Sequence, residues 1–283
     1  MPNSLVKPYL KWAGGKRQLL PEIEKQLPQK FNNYKYYEPF VGAGAVFFDK
    51  QPKKAVINDY NAQLILTYKI IRSNISELIE ALTVHSQNNT EEYFYEIRAR
   101  DRDTATFCML SDVEKAARLI FLNKTCYNGL YRVNSQGLFN APYGRYANPA
   151  ICDEPVLLAI HKYLSDNDEV EILNGDFATA VQTADEKSFV YFDPPYHSAD
   201  NTNFTGYQAD RFGNEEQTRL RDIYLELTNK GAKCLLSNSD TTFINDLYSD
   251  SRFSIIKVAA KRAINSDAAG RGNVSEVLIK NWK

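Results

Sequence analysis

The chain has 283 residues, 43% apolar and 24% charged, proportions of a soluble globular protein with room for one large domain or a domain carrying an insertion. Its 34 basic and 35 acidic residues leave a net charge of −1, which neither advertises a polyanionic partner nor excludes one bound on a local basic face. No run approaches the ~20 apolar residues of a membrane span, the start lacks signal-peptide order, and the 4 cysteines and 3 histidines show no metal-ligand spacing, so reduced thiols in a cytosolic protein are expected.

The first informative stretch is Tyr9-Leu10-Lys11-Trp12-Ala13-Gly14-Gly15-Lys16-Arg17. Gly15-Lys16 looks like the end of a phosphate loop, but Leu10 stands where that motif needs its first glycine. Arg17 likewise stands where it needs a metal-binding hydroxyl. A P-loop nucleotide triphosphatase is rejected. The two glycines let backbone pass close to a ligand stacked on Trp12, although a tight turn before a helix would use the same residues. Residues 35–40 then read as a strand, and residues 41–48 as a tight turn into a helix. Gly42 and Gly44 suit close approach to that helix start, but Phe47 occupies the third glycine position of a dinucleotide fingerprint. Glu38 beside the turn would repel a pyrophosphate. Residues 55–59 form a short strand ending on Asp59, placed to accept from ribose hydroxyls. A glycine turn after one strand and an acid ending the next describe a nucleoside pocket without phosphates. S-adenosylmethionine, a nucleoside with a sulfonium cation and no phosphate, fits it.

Residues 62 to about 165 lack strands that exit on an acid. Helical spacing covers Ala62 to Leu82 and Ser111 to Asn123, the second with a capping box at Ser111-Asp112-Val113-Glu114. Arg98, Arg100 and Arg102, interleaved with Asp101 and Asp103, read as a solvated helix face. Asn123 to Arg132 and Val133 to Tyr146 differ in kind. Asn134 to Gly137 has hairpin-turn chemistry, and the aromatics, arginines and amides around it suit base edges and unpaired bases. An aromatic-rich hairpin buried in the core has the same composition.

Strands resume at residues 170–177, where Asp176 and Phe177 end the run and can hold a purine edge and face. Ser188-Phe189-Val190-Tyr191-Phe192 is a run of β-formers that stops on Asp193-Pro194-Pro195-Tyr196. Neither proline can donate to a ladder, so Asp193 and Tyr196 sit in a stiff turn at a strand's carboxyl end, where open α/β sheets bind ligands. The same sequence is also an ordinary strand exit. A long polar loop from His197 to Tyr207 suggests a lid, and Lys261-Arg262 through Arg271-Gly272 forms a basic loop suited to phosphates. Further strands are predicted over residues 231–238, 253–258 and 275–282. About seven strands with interleaved helices make an α/β sheet split by one mostly helical insertion.

In chain order, Leu10-Lys11-Trp12-Ala13-Gly14-Gly15-Lys16, Glu38-Pro39-Phe40-Val41-Gly42-Ala43-Gly44, Asn58-Asp59, Tyr127-Asn128-Gly129-Leu130-Tyr131-Arg132, Phe139-Asn140 with Pro142-Tyr143-Gly144-Arg145-Tyr146, Asp193-Pro194-Pro195-Tyr196 and Asn203-Phe204-Thr205 form an ordered set. That set resembles the Dam-type DNA adenine-N6 methyltransferases of bacteria and phages, in the α arrangement, through nearly the whole chain. The resemblance implies a Rossmann-like S-adenosylmethionine-dependent sheet built from residues 1–61 and 166–283. Residues 62–165 would then be the target-recognition domain, containing the hairpin. It implies that Trp12, Lys16, Asp59 and Asp193 touch S-adenosylmethionine with Asp176 and Phe177 near its adenine, and that Glu38, Phe40, Gly42 and Gly44 complete the cofactor set. It implies Asp193, Pro194 and Tyr196 as catalytic residues. Lys11, Tyr127, Asn128, Leu130 and Arg132, joined by Arg145, would contact DNA. The implied target is double-stranded GATC, with Arg132 on a guanine. Tyr131 stands where some relatives carry a small residue, a change expected to affect packing alone. A restriction endonuclease is an expected functional partner, no membrane is, and a cytoplasmic monomer is the expected form.

On this reading the target adenine flips out of the duplex, Asp193 and the Pro194 carbonyl take its amino hydrogens, and Tyr196 stacks on its ring. Rival readings are methyl transfer to cytosine N4 or to RNA adenine, and a DNA-binding module that has lost catalysis.

Overall fold

The computed structural model describes residues 2–12, 16–198, 212–261 and 273–283. Its strands are β1 (Lys35–Glu38), β2 (Ala55–Asp59), β3 (Val170–Asn174), β4 (Ser188–Phe192), β5 (Lys233–Ser239), β6 (Ser254–Lys261) and β7 (Asn273–Lys280). They make one mixed sheet in the order β3-β2-β1-β4-β5-β7-β6. The pairs β1–β2, β1–β4 and β4–β5 are parallel, and β7 runs antiparallel to β5 and β6. The predicted α/β sheet of seven strands is therefore present. All five residues of β4 are buried, which explains why it reads as an unbroken apolar run rather than an alternation. Strand order reverses at β1, with β2 on one side and β4 on the other. Such a reversal opens a crevice at the carboxyl ends of the strands. Glu38 ends β1 and Asp193 follows β4, so both lie at that switch point.

The helices are α1 (Leu20–Lys25), α2 (Ala45–Lys50), α3 (Ala62–Ser73), α4 (Ile75–Gln87), α5 (Glu91–Ala99), α6 (Thr104–Met109), α7 (Asp112–Thr125), α8 (Glu154–Ser165), α9 (Phe177–Ala180), α10 (Asn214–Asn229) and α11 (Thr242–Leu247). None of the described helices is long and apolar enough to cross a membrane. The chain divides into two compact units, residues 1–15, 42–51 and 59–175 in the first and residues 16–41, 52–58 and 176–283 in the second.

The first unit is organised on α7, which is buried without a break from Ala116 to Asn123 and contacts α3, α4 and α5. Ser111 and Glu114 form the predicted capping box at its start. The helix expected over Ala62 to Leu82 is instead two. Asn74, at φ −134° and ψ 49°, separates α3 from α4. Its side chain accepts from Ser73 Oγ at 2.6 Å, a local bond that competes with the helical ladder. Because apolar spacing resumes at Ile75, periodicity alone does not reveal the break.

Candidate functional site

In the second unit the turn after β4 is held by side chains from several elements. Lys16 Nζ lies 2.9 Å from Asp193 Oδ1 and 4.2 Å from the centroid of the Tyr196 ring. Ser237 Oγ donates to the same Oδ1 at 2.8 Å. Burial raises the Asp193 carboxyl above the usual range, opposed by the Lys16 charge and the Lys16 and Ser237 hydrogen bonds. Among the described residues none donates to Asp193 Oδ2 or to the Pro194 carbonyl. The next carbonyl, that of Pro195, accepts from Gln217 Nε2 at 2.9 Å, and Asn238 Nδ2 donates to Gln217 Oε1 at 3.0 Å. Tyr196 OH donates to Glu276 Oε2 at 2.8 Å. His197 opens the expected lid and is tethered, its N–H donating to Asn238 Oδ1 at 3.0 Å and its ring stacking on Phe243. Residues 199–207 of that lid, including Asn203-Phe204-Thr205, and residues 262–272 of the basic loop lie outside the described residues.

The same unit brings Phe40, Asp176 and Phe177 together. The rings of Phe40 and Phe177 stack at 5.2 Å, with Phe212 edge-on to Phe40 at 5.5 Å. Asp176 caps α9 by accepting from Ala178 N–H, and Arg219 clasps its two oxygens at 2.5 and 2.9 Å. That clasp holds the Asp176 carboxyl below the usual range. The Arg219 guanidinium also lies 4.6 Å from the centroid of Phe177. Glu38, buried at the end of β1, accepts from Tyr36 OH at 2.6 Å.

In the first unit Asp59 accepts from Gly42 N–H at 3.0 Å and Asn61 N–H at 2.9 Å. Burial raises its carboxyl, and those backbone donors oppose the rise. Gly42 and Gly44 have φ of 51° and 72°, and a Cβ on either would crowd a neighbour, the Trp12 ring at 3.1 Å or Tyr68 Oη at 2.7 Å. The chain's own packing therefore demands both glycines. Trp12 stacks on Tyr131 at 4.9 Å.

Lys11 and the residues around Gly129 are drawn together by a residue to which the sequence assigned no role. Asn123, fully buried on α7, accepts from Lys11 N–H at 2.9 Å and donates to the carbonyls of Lys11 and Gly129 at 2.7 and 3.0 Å. On this anchored backbone Tyr127 is 59% exposed, Asn128 is exposed at φ 57°, and Leu130 is half-buried. The hairpin appears as a turn with the antiparallel bridges Val133–Phe139 and Cys126–Tyr143 rather than as long strands. Gly137 N–H donates to the Asn134 carbonyl across that turn at 2.9 Å. Arg132 is exposed, its Nε and Nη2 donating to the Asn140 side chain and carbonyl. Arg145 is 77% exposed, and its one ion pair among the described residues is to Glu91 at 3.5 Å. The reading of Arg98, Arg100 and Arg102 as a solvated face holds in part, since Arg102 is exposed and Arg100 pairs with exposed Glu96, but the face is also tied to the hairpin. Arg98 donates to the Ala141 carbonyl and Arg102 to those of Arg98 and Phe139, so both brace the hairpin. Asp101 between them is buried, pairs with Arg102 and with buried Arg118, and accepts from Phe139 N–H.

Ser237, Gln217, Asn238, Glu276, Arg219 and Asn123 carry no motif, and only their contacts reveal them. In the second unit the candidate cofactor residues supply three carboxylates (Glu38, Asp176, Asp193), the aromatic faces of Phe40 and Phe177 and the ammonium of Lys16; the first unit's candidates are the Asp59 carboxylate and the Trp12 ring. Such a donor set fits a nucleoside bearing a cation and suits a phosphate chain poorly. A family model described as D12 class N6 adenine-specific DNA methyltransferase matches residues 12–264. The chain is 44% identical over 278 residues to the Type II methyltransferase M1.LlaDCHI of Lactococcus lactis subsp. cremoris, covering 98% of this chain and 96% of that one. It is also 44% identical over 294 residues to the Type II methyltransferase M.MjaIII of Methanocaldococcus jannaschii, with coverage of 98% and 99%. Identity to the DNA adenine methylase of Haemophilus influenzae is 34% over 283 residues, covering 98% and 94%.

Proposed function

The chain belongs to the D12 class of N6 adenine-specific DNA methyltransferases, and from that premise we propose that its target is the adenine of double-stranded GATC. It is a DNA adenine-N6 methyltransferase whose methyl donor is S-adenosylmethionine. The GATC reading rests on one observation: the segment Tyr127-Asn128-Gly129-Leu130-Tyr131-Arg132, most diagnostic of that target in the resemblance, presents Tyr127, Asn128 and Arg132 to solvent on a backbone fixed by Asn123. Residues 62–165 would carry target recognition, with Lys11 and Arg145 adding DNA contacts. A restriction endonuclease is the proposed functional partner, and a monomer the proposed working form.

For the chemistry, the adenine leaves the stack so that its amino group can be reached. Two acceptors then await its two hydrogens, Asp193 Oδ2 and the Pro194 carbonyl, neither of which receives a donor from the described residues. Sharing both hydrogens draws the nitrogen toward a tetrahedral geometry and frees a lone pair otherwise delocalised into the ring. Tyr196, fixed through Glu276, offers a face to the purine. The Lys16 ammonium, 2.9 Å from Asp193 Oδ1, opposes the rise that burial imposes on that carboxyl and so favours its charged form. When bound, S-adenosylmethionine supplies a methyl group on positively charged sulfur. Trp12, Lys16, Glu38, Phe40, Gly42, Gly44, Asp59, Asp176, Phe177 and Asp193 are the residues proposed to hold it, and orientation of the reactants is the main catalytic device.

Transfer of labelled methyl to otherwise identical duplexes with and without GATC tests the target. Labelling confined to the GATC duplex is expected, and equal labelling of both would overturn the specificity. Asp193→Ala should abolish transfer while its circular dichroism stays that of the parent, and near-normal turnover would remove Asp193 from the chemistry.

A further inference from the structure

The two oxygens of Asp193 are treated differently by the second unit. Oδ1 takes both the Ser237 hydroxyl at 2.8 Å and the Lys16 ammonium at 2.9 Å, while no described residue donates to Oδ2. Ser237 is fully buried near the carboxyl end of β5, one residue past the Phe192–Leu236 register pair. Its hydroxyl also meets β4, at the fully buried Tyr191 OH at 3.0 Å and, more distantly, at the Phe192 carbonyl at 3.4 Å. Because the Ser237 proton points to the carboxylate, Tyr191 is the donor in that pair. The ladder uses only the backbone of residue 237, so the hydroxyl is not needed for strand pairing, although an alanine there would also take from Tyr191 OH its acceptor. Burying a hydroxyl there serves the carboxylate. An aspartate's terminal torsion is broad and two-fold, so an untied carboxylate exchanges its oxygens and samples many tilts. Two donors on one oxygen remove that freedom.

We propose that Ser237 is a positioning residue: together with Lys16 it ties down Oδ1 of Asp193, so that Oδ2 is the oxygen presented to the amino group of the target base. This rests on the reading of Asp193 as the amino-hydrogen acceptor. Ser237 acts on the reaction through the angle and ionisation of Asp193, and its remaining bonds, to Tyr191 OH and at 3.4 Å to the Phe192 carbonyl, tie it to β4.

The test compares Ser237→Ala and Ser237→Thr with the parent by single-turnover methyl transfer to a GATC duplex between pH 5 and 9, by calorimetry of cofactor binding, and by thermal unfolding. Ser237→Ala should slow transfer about tenfold, the scale of a modest misplacement at a reacting centre, with cofactor affinity within about twofold of the parent and Ser237→Thr recovering most of the rate. The charged and titratable groups facing Asp193 and its partners, namely Lys16, Tyr191, Tyr196, Glu276 and Glu38, stay in place in both variants. Loss of a donor disfavours the carboxylate, so Asp193 protonates at higher pH and the acid limb of the rate profile should move upward in Ser237→Ala. A purely structural role would not move that limb. If Ser237→Ala fails to fold, Tyr191→Phe removes the donor behind Ser237 and should give a smaller rate loss and a smaller upward shift. A folded variant with parental rate and acid limb overturns the proposal. Asp193→Asn, assayed alongside, separates the two levels. Full activity there would sink the acceptor reading itself, whereas an inactive Asp193→Asn with a parental Ser237→Ala sinks the role of Ser237 alone.

Discussion

Two irregular pieces of backbone carry the proposed function, and they are held in opposite ways. The Asp193-Pro194-Pro195-Tyr196 turn is gripped through its functional groups: Ser237 and Lys16 hold the carboxylate, Gln217 the Pro195 carbonyl and Glu276 the tyrosine hydroxyl. The Tyr127–Leu130 stretch of the other segment is gripped through its main chain. Asn123 holds the Gly129 carbonyl, Gly129 N–H donates to the Cys126 carbonyl, Tyr127 N–H donates to the Pro142 carbonyl, and the side chains of Tyr127 and Asn128 project outward. The contrast matches the two tasks. Group transfer needs side-chain atoms fixed before the substrate arrives. A duplex reader needs a fixed backbone whose side chains can still adjust to the groove.

The largest effect should come from attacking the scaffold beneath the reading segment. Asp101→Ala would leave Arg118, 2% exposed, as an uncompensated buried charge and free the Phe139 N–H, at a cost of about 3–5 kcal/mol. Urea unfolding checks this, and a loss under 1 kcal/mol would show that the hairpin does not depend on that hub. Gln217→Ala acts on the other region. It leaves the Pro195 carbonyl and Asn238 Nδ2 without their partners, worth about 1–3 kcal/mol of stability, and should also slow single-turnover transfer because the turn loosens. A variant equally destabilised but with parental rate would mean that the turn is rigid without this grip.

The sheet was legible because its signals are local. Three of the parallel strands, β1, β2 and β4, are short runs that end on or just before Glu38, Asp59 or Asp193, and two prolines stop the last of these. The ordered motifs also singled out the two segments to which the proposed catalysis and target reading are assigned. The braces were not. Ser237 and Glu276 sit on strands whose sequence would pair equally well with other residues there, and Gln217 lies on a helix whose exposed neighbours mask its complete burial. Asn74 breaks a helix without disturbing its apolar period. Arg98 and Arg102 look solvated in sequence because the carbonyls they bond lie about forty residues away. Long-range polar contacts leave no periodic trace, and they separate what was read from what had to be seen.

The smallest change probes the reading segment at a single side chain. Arg132 donates Nε and one Nη to Asn140, which fixes the plane of the guanidinium before any duplex binds. A planar fork matches the two acceptors on a guanine edge, whereas a phosphate accepts a lysine nearly as well. Arg132→Lys keeps the charge and discards the fork. Stability should stay within about 0.5 kcal/mol of the parent, since the residue is exposed. Affinity for a GATC duplex should fall by about 1 kcal/mol, with affinity for a duplex lacking GATC and the salt dependence of both unchanged. Fluorescence anisotropy with the two duplexes across a salt series measures all three. Equal weakening on both would make Arg132 a backbone contact and would move sequence reading elsewhere in the segment, to Tyr127, Asn128 or Leu130.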